Sequence, residues 1–332
     1  MPDSRVTGVA AQYVADDPQE MAYRTEALIT NLDDATDRVI DLLRRRIHAV
    51  VAAHPGRPAL MLSGGIDSIL VAAVCADLGL APYALTVVTE SDTKLEDLRG
   101  RDVARLLAFP HEVVDLDADR LVDAAIDCIR RLGTWELWEI TSAIPVQAAF
   151  GRFAQLDAGP VFTGAGSDAL FMGGGALRAD PDSTAGLAEF RSTVTAKVSA
   201  NFTRHRLVPD YYERLLGDRS GLFIQIFQTA TFWRYAMSLS PGLLWRHGPD
   251  GRVYDKFVLR NAAARLGVPP GYVWTDKAPL QVSSGVIGAL MRTARADIAA
   301  QPGQQTYDDP RHEPLEHTIV RQYLRHLDGT NR

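Results

Sequence analysis

The stretch from Ser63 to Ser68, "SGGIDS", has residue types suited to holding an anion. Gly64 and Gly65 lack Cβ atoms, so their backbone can turn sharply and bring N–H groups close to phosphate oxygens. Ser63 and Ser68 add hydroxyl donors. Asp67 would repel a phosphate unless it held a cation, and Mg²⁺ is the usual bridge. The pattern predicts a phosphate-binding loop with a metal ligand, and it lacks the lysine and spacing of a Walker A loop.

The segments on either side of this stretch are those that would position such a loop. Residues 59–62 form a short apolar run, typical of a buried strand, and residues 66–79 read as a helix packed against it. A further helix is predicted from Asp34 to His54, behind an acidic cap. The loop is therefore expected between a strand and a helix whose N-terminus points at the ligand.

Strand-like and helix-like segments alternate beyond the loop. Strands are predicted at 83–89, 111–116 and 160–164, and helices at 95–108, 118–132 and 142–156. This alternation predicts an α/β fold with a doubly wound parallel sheet. After about residue 175 helical patterns dominate, as in Phe223–Leu239 and Asp255–Gly267, so a helical subdomain is expected to follow the sheet.

These patterns predict a simple division of the chain. Residues 1–33 are polar and weakly periodic, which is typical of an extension. Residues 34–332 are predicted to form one domain, with the sheet at about 34–175, the helical part at about 176–310 and a tail at 311–332.

Composition narrows the classes of partner. The net charge of the 332 residues is −6, which argues against a general nucleic-acid or membrane-surface binder. Cys75 and Cys128 are the only cysteines, and both lie in apolar helical patterns, so a disulfide framework is not expected. The expected compartment is therefore the reducing cytoplasm. No run has the length of a signal-peptide core or a membrane span. We therefore expect a cytoplasmic protein with small-molecule substrates.

The "SGGIDS" loop resembles the pyrophosphate-binding loop of the N-type ATP pyrophosphatases. That superfamily includes asparagine synthetases, GMP synthetases, NAD synthetases and tRNA thiolases, which cleave ATP between its α and β phosphates. A second stretch, "VFTGAGSDALFMGGG" at 161–175, resembles the Gly-Glu-Gly-Ser/Ala-Asp-Glu-Leu-Phe-Gly-Gly signature of the asparagine synthetase and β-lactam synthetase family. The resemblance implies that Asp168 is the second Mg²⁺-binding carboxylate, the partner of Asp67.

A third stretch, residues 255–285, is similar to the Lys-x-x-Leu-Arg helix of the same family and the lysine segment after it. Lys256 and Lys277 fall on the family's two lysines, and Lys277 matches the one that contacts both the triphosphate and the reacting acyl centre. Strand-end positions that match the family's adenosine pocket are Leu62, Val87, Thr163 and Gly164. Together the three motifs cover about residues 35–300.

Two departures from the family pattern carry information. Full asparagine synthetases begin with a glutaminase domain whose catalytic cysteine becomes residue 1. Here residue 2 is proline, and the extension of about 33 residues is too short for such a domain, so the nitrogen is expected from another source. Ala165 stands where asparagine synthetases have a glutamate and β-lactam-forming relatives have a tyrosine that helps to remove a proton. Alanine can do neither.

Three explanations for Ala165 remain open. A base could come from elsewhere, with Glu136, Glu139, Tyr211 and Tyr212 as candidates. The nucleophile could be weakly basic, like hydroxylamine or hydrazine, and arrive unprotonated. The chain could also lack catalysis.

The resemblance implies an ATP-dependent ligase that uses ATP and Mg²⁺. It would adenylate a small-molecule carboxylate, release pyrophosphate, and couple the acyl group to a nitrogen nucleophile with loss of AMP. A role in natural-product biosynthesis is expected, with a homo-oligomer or a separate amine-supplying enzyme as candidate partners. The alternatives are an RNA thiolation adenylase and a nucleotide-binding regulatory subunit.

Overall fold

The computed structural model describes residues 28–89, 95–202, 207–275, 284–303 and 309–328. Within these residues five strands form one parallel sheet in the order β3-β2-β1-β4-β5. The bounds of these strands are β1 Ala59–Met61, β2 Tyr83–Thr89, β3 His111–Leu116, β4 Val161–Thr163 and β5 Phe223–Gln225. A short antiparallel pair lies apart from this sheet and consists of β6 Arg246–His247 and β7 Val253–Tyr254.

Helices connect these strands and make up most of the second half. The α-helices are α1 Leu32–Ala53, α2 Ile66–Asp77, α3 Leu95–Leu106, α4 Ala118–Leu132, α5 Leu137–Gln155, α6 Ser167–Leu170, α7 Thr184–Phe202, α8 Tyr211–Leu216, α9 Ala230–Ser238, α10 Phe257–Arg265, α11 Pro270–Val273, α12 Val286–Ala299 and α13 Leu315–Asp328. Short 3₁₀ helices lie at Gly217–Leu222 and Pro241–Leu243. None of the described helices combines the length and apolar character needed to cross a membrane.

Helices cover both faces of the sheet. Because neighbouring residues of a strand point to opposite sides, each strand contributes side chains to two separate cores. Leu60, Phe162 and Ile224 belong to a core shared with α1, α2 and α10. Val161 and Phe223 belong to a second core on the other face, shared with α4, α5, α8 and α12. The predicted fold class, a doubly wound parallel sheet followed by a helical region, is confirmed.

The strand order reverses between β1 and β4. From β1 the chain proceeds to β2 and β3 on one side, and from β4 it proceeds to β5 on the other. In open parallel sheets, ligands bind beyond the carboxyl ends of the strands at this reversal point. The first two motifs follow β1 and β4 directly, so both lie at this point.

Some of the predicted helix bounds were wrong. Residues 223–239 were predicted as one helix, whereas Phe223–Gln225 is strand β5 and only Ala230–Ser238 is helical. A buried strand shows no polar alternation, so its apolar run resembles a helix. Helix α1 begins two residues earlier than predicted, because Asn31 rather than an acid caps it by accepting from the N–H groups of Asp33 and Asp34.

The chain around Ile29 is tied to a distant segment. Ile29 forms a parallel bridge with Leu239, its N–H donates to the Ser238 carbonyl at 2.8 Å, and its own carbonyl accepts from the Ser240 N–H at 2.8 Å. Residues 1–27 of the predicted extension lie outside the described residues. The domain boundaries stay a prediction.

Candidate active site

The loop after β1 makes a tight turn into α2. Gly64 has a φ of +75°, a conformation that side chains disfavour, and Gly65 is the N-cap of α2. The Ser68 hydroxyl accepts from the Ser63 N–H at 3.2 Å, lies 3.2 Å from the Ser63 hydroxyl and donates to the Gly65 carbonyl at 3.0 Å. The turn therefore holds the two serine hydroxyls beside each other at the start of a helix, where an anion is stabilised.

The loop after β4 lies directly against the first loop. A Cβ on Gly164 would be 2.7 Å from Asp67 Cβ and 2.9 Å from the Ser68 nitrogen, so glycine is what allows this approach. The Ala165 N–H donates to the Thr163 hydroxyl at 3.3 Å. The two motifs, nearly one hundred residues apart in the chain, form one continuous site.

Lys256 joins the carboxylates of the two motifs. Its Nζ lies 2.7 Å from both carboxylate oxygens of Asp67 and 2.5 Å from Oδ1 of Asp168, and it donates to the Ser167 hydroxyl at 3.1 Å. The Lys256 and Asp67 side chains are 0% and 6% exposed, whereas that of Asp168 is 57% exposed. Asp67 is thus the buried end of this ion pair network, and Asp168 is its solvent-exposed end.

The residues around Lys256 fix its position. Lys256 precedes α10 in a left-handed conformation with φ +50°, and α10 packs against α1 and α2. The neighbouring Asp255 accepts from the Gly174 N–H at 2.8 Å and pairs with Arg260 at 3.0 Å. Arg260 also donates to the Thr275 carbonyl at 3.0 Å. Arg260 therefore ties the start of α10 to the glycine turn of the second motif and to the segment that precedes Lys277.

Gly173 makes room for the lysine. A Cβ at this position would overlap Oδ1 of Asp168 and Cε of Lys256. The glycine turn after the second motif is therefore part of the packing around the ion pair network.

The structure brings the described candidate residues to one edge of the sheet. Leu62 directly follows β1, Thr163 is the last residue of β4, and Val87 lies two residues before the end of β2. The side chain of Leu62 is fully buried in the core. Ser63, Gly64, Gly65, Asp67, Ser68, Gly164, Asp168 and Lys256 form the two loops and the ion pair network. Lys277 lies outside the described residues. The roles of all these residues stay predictions.

Sequence reasoning missed several residues of this edge. Arg260 occupies the arginine of the Lys-x-x-Leu-Arg pattern, which was a usable signal. Ser167 belongs to the matched second motif, which was also a usable signal, whereas no sequence signal marks Asp255. The same is true of Gln225, Gln228 and Ser284. The buried side chains of these last three residues each have a polar atom without a hydrogen-bond partner among the described residues.

The two carboxylates fit a hard cation only in part. Among the described residues, no group of three or more histidine, cysteine, aspartate or glutamate side chains could hold a metal ion. Mg²⁺ is usually bound by one or two carboxylates together with water and substrate phosphates. Asp67 and Asp168 supply the carboxylate part of that donor set. Both already contact one positive charge, the ammonium group of Lys256.

The candidates for a replacement base have structural contacts. Glu136 caps α5 by accepting from the Glu139 N–H at 2.9 Å. The buried Tyr211 hydroxyl donates to the Glu139 carbonyl at 2.8 Å, and the Tyr212 ring stacks on Phe223 with centroids 4.7 Å apart. Glu136 and Tyr211 therefore serve the local fold.

Residues 40–221, more than half of the chain, match the family model described as asparagine synthase. The chain belongs to the asparagine synthase family. The predicted resemblance is thereby confirmed. Asparagine synthetase [glutamine-hydrolyzing] 1 of Arabidopsis thaliana is 27% identical over 218 residues, which cover 61% of this chain and 35% of that protein. The chain thus spans about a third of the length of that relative.

Other similarities of this member of the asparagine synthase family are more local or more distant. A 7-cyano-7-deazaguanine synthase of Polynucleobacter asymbioticus is 40% identical over 73 residues, 21% of this chain and 30% of that protein. Among solved structures, an NH3-dependent NAD synthetase from Campylobacter jejuni has a TM-score of 0.32 and 17% identity, covering 46% of this chain and 64% of that one. NMN synthetase from Francisella tularensis has a TM-score of 0.33 and 14% identity, covering 75% and 98%.

Proposed function

We propose that this chain is an ATP-dependent ligase that adenylates a small-molecule carboxylate and couples it to a nitrogen nucleophile. The first half-reaction joins a carboxylate oxygen to the α-phosphorus of ATP and releases pyrophosphate. The second displaces AMP and forms an amide-type bond. The main support for this proposal is that Asp67, Asp168 and Lys256, which come from three separate motifs, meet at the reversal point of the sheet.

The residues of the two loops have separate roles in this proposal. Ser63, Gly64, Gly65 and Ser68 bind the departing pyrophosphate through hydroxyl and backbone N–H groups at the start of α2. Lys256, and Lys277 from its sequence match, offset negative charge on the phosphates, and Lys277 also offsets the developing oxyanion. Leu62, Val87, Thr163 and Gly164 line the adenosine side.

Asp67 and Asp168 are the residues that would hold Mg²⁺. When bound there, the ion would neutralise the triphosphate and favour loss of pyrophosphate. The exposed Asp168 faces the approaching nucleotide, while the buried Asp67 stays paired with Lys256. Because Asp67 accepts from Lys256 through both oxygens, the lysine orients this carboxylate.

The chemistry of the cysteines argues against the RNA thiolation alternative. A sulfur-transfer enzyme needs a reactive thiolate. Burial raises the pKa of the Cys75 thiol far above its usual value, and burial raises that of Cys128 to about 12. Both side chains are fully buried, and the chain has no other cysteine. These thiols are poor nucleophiles at neutral pH, which favours the ligase.

Carboxylate-dependent exchange of labelled pyrophosphate into ATP is the test of the first half-reaction. We expect exchange and AMP formation with one or more carboxylates from a broad panel. Asp168→Asn should lower exchange at least about tenfold and leave the free energy of unfolding within roughly 1 kcal/mol, because this side chain is mostly exposed.

Two results would contradict the proposal. Formation of ADP and orthophosphate would show that ATP is cleaved at the wrong bond. ATP binding without exchange across the panel would favour the regulatory subunit, the remaining alternative.

The nitrogen nucleophile is proposed to be weakly basic. Ala165 cannot accept a proton, and Glu136 and Tyr211 are held in structural hydrogen bonds. An amine that is already unprotonated at neutral pH needs little help from a base. We expect hydroxylamine- and hydrazine-type compounds to react faster at pH 7 than alkylamines, measured as product formed from the adenylate. A preference for strongly basic alkylamines would overturn this part and point to an enzyme base.

A further inference from the structure

Two glutamine side chains at the end of β5 are buried without their full set of partners. Gln225 and Gln228 are each 1% exposed. Nε2 of Gln225 and Oε1 of Gln228 have no hydrogen-bond partner among the residues that the structure describes. Buried polar atoms are nearly always paired, and leaving one unpaired costs free energy. Two at one place call for a physical explanation.

Both glutamines flank the loop that carries Ala165. Gln225 pairs in register with Thr163 across β4 and β5, so their side chains share the sheet face that α5 covers. Gln228 lies against Gly166, where an added Cβ would be 3.4 Å from Gln228 Cβ and 3.3 Å from its nitrogen. Gly166 has a φ of +97°, and the absence of its side chain lets Gln228 approach. The unpaired amide atoms therefore belong to the same edge of the sheet as Asp168.

Both side chains of this pair, Gln225 and Gln228, end in an uncharged amide group. A glutamine amide offers both a donor and an acceptor, and a rotation of its last bond exchanges the two ends, so one residue of the pair can supply a donor and the other an acceptor. The charged groups nearby, Asp168 and Lys256, are paired with each other. A buried full charge needs a counter-charge, which a neutral amide does not supply.

We infer that Gln225 and Gln228 form a subsite for an uncharged group with both a hydrogen-bond donor and an acceptor, such as a carboxamide, urea or hydroxamate. This inference rests on the proposed function, since the group would belong to one of the two substrates joined at this edge. It makes the two glutamines specificity-determining residues. They would reject a substrate that places a free ammonium or carboxylate at this position.

Acetamide is a suitable probe, compared with acetate and methylammonium. The side-chain ¹⁵NH₂ signals of Gln225 and Gln228 would be assigned with the single variants Gln225→Met and Gln228→Met and followed during titration of the wild-type protein. We expect a saturable shift with acetamide and a dissociation constant in roughly the millimolar range, as for a ligand of four heavy atoms. Acetate and methylammonium should bind at least about tenfold more weakly.

The double variant Gln225→Met/Gln228→Met should lose the acetamide response. Its melting temperature should rise by about 2–4 °C, because the apolar side chains leave no unpaired amide. Gln155→Met is the matched control: Gln155 is exposed at the far end of α5, where it accepts from Arg152 at 2.9 Å, and its replacement should leave the titration unchanged.

Three outcomes would overturn the inference. Unchanged amide signals with acetamide would mean that the pair binds no such group. An equal response to acetate would remove the preference for a neutral group. A double variant that keeps the acetamide response would place binding elsewhere. The titration requires no ATP turnover, so its failure is distinguishable from a failure of carboxylate-dependent pyrophosphate exchange.

Discussion

The Lys256→Met variant is expected to lose about 3–5 kcal/mol of the free energy of unfolding, measured by urea denaturation. The replacement leaves the Asp67 carboxylate almost fully buried without the ammonium that both of its oxygens contact. Removing one member of a buried ion pair is destabilising, because the remaining charge has lost its contact with water and also the countercharge that offset this loss. Pyrophosphate exchange should also be abolished.

A double variant provides the control for this prediction. In Asp67→Asn/Lys256→Met both charges are absent, so the protein should be more stable than Lys256→Met alone by at least about 1 kcal/mol. If the effects of the two single replacements simply added, the ion pair would not be the cause. Mg²⁺ gives a second measurement: it should raise the melting temperature of Lys256→Met more than that of the wild type, because the two carboxylates no longer share an ammonium.

The Gly164→Ala variant is expected to lower carboxylate-dependent pyrophosphate exchange by more than about a hundredfold. The new methyl group would be 2.7 Å from Asp67 Cβ and 2.9 Å from the carbonyl carbon of Asp67 and the nitrogen of Ser68. These atoms belong to the first turn of α2 and cannot rotate away, so the two loops must separate. A displacement of about 1 Å at a reacting centre is enough for a loss of this size.

Gly151→Ala is the matched control for that replacement. Gly151 lies in α5, and apart from its chain neighbours and the backbone of its own helix, no atom lies within 4 Å of an added Cβ. Alanine in a helix interior should raise the free energy of unfolding by about 0.5–1 kcal/mol and leave exchange unchanged. Near-normal exchange in Gly164→Ala would show that the two loops need not touch.

The first half of the fold could be predicted from sequence because its signals are local. Strands β2 and β3 have the predicted bounds, since β-branched residues and turn signals delimit them. Strand β5 could not be predicted, because three buried residues next to an apolar helix carry no period of their own. Its place in the sheet depends on pairing with β4, sixty residues earlier.

The candidate site divides in the same way. The loop glycines and the two aspartates are adjacent in sequence to strands that could be predicted, so their meeting at the reversal point followed from topology. The position of Lys256 between the aspartates could not be predicted from topology. It depends on the packing of α10 and on a left-handed backbone at a residue other than glycine. Gln225 and Gln228 have no sequence signal at all, since only burial reveals their unpaired atoms.

The bridge between Ile29 and Leu239 has a consequence for the order of assembly during synthesis. The segment that enters α1 leaves the ribosome more than two hundred residues before the strand-like segment that holds it. Contacts so distant in sequence form late, because the intervening chain must first be brought together. Nascent chains that end before residue 240 should therefore leave the start of α1 open to proteases, and protection should appear only once Leu239 has emerged.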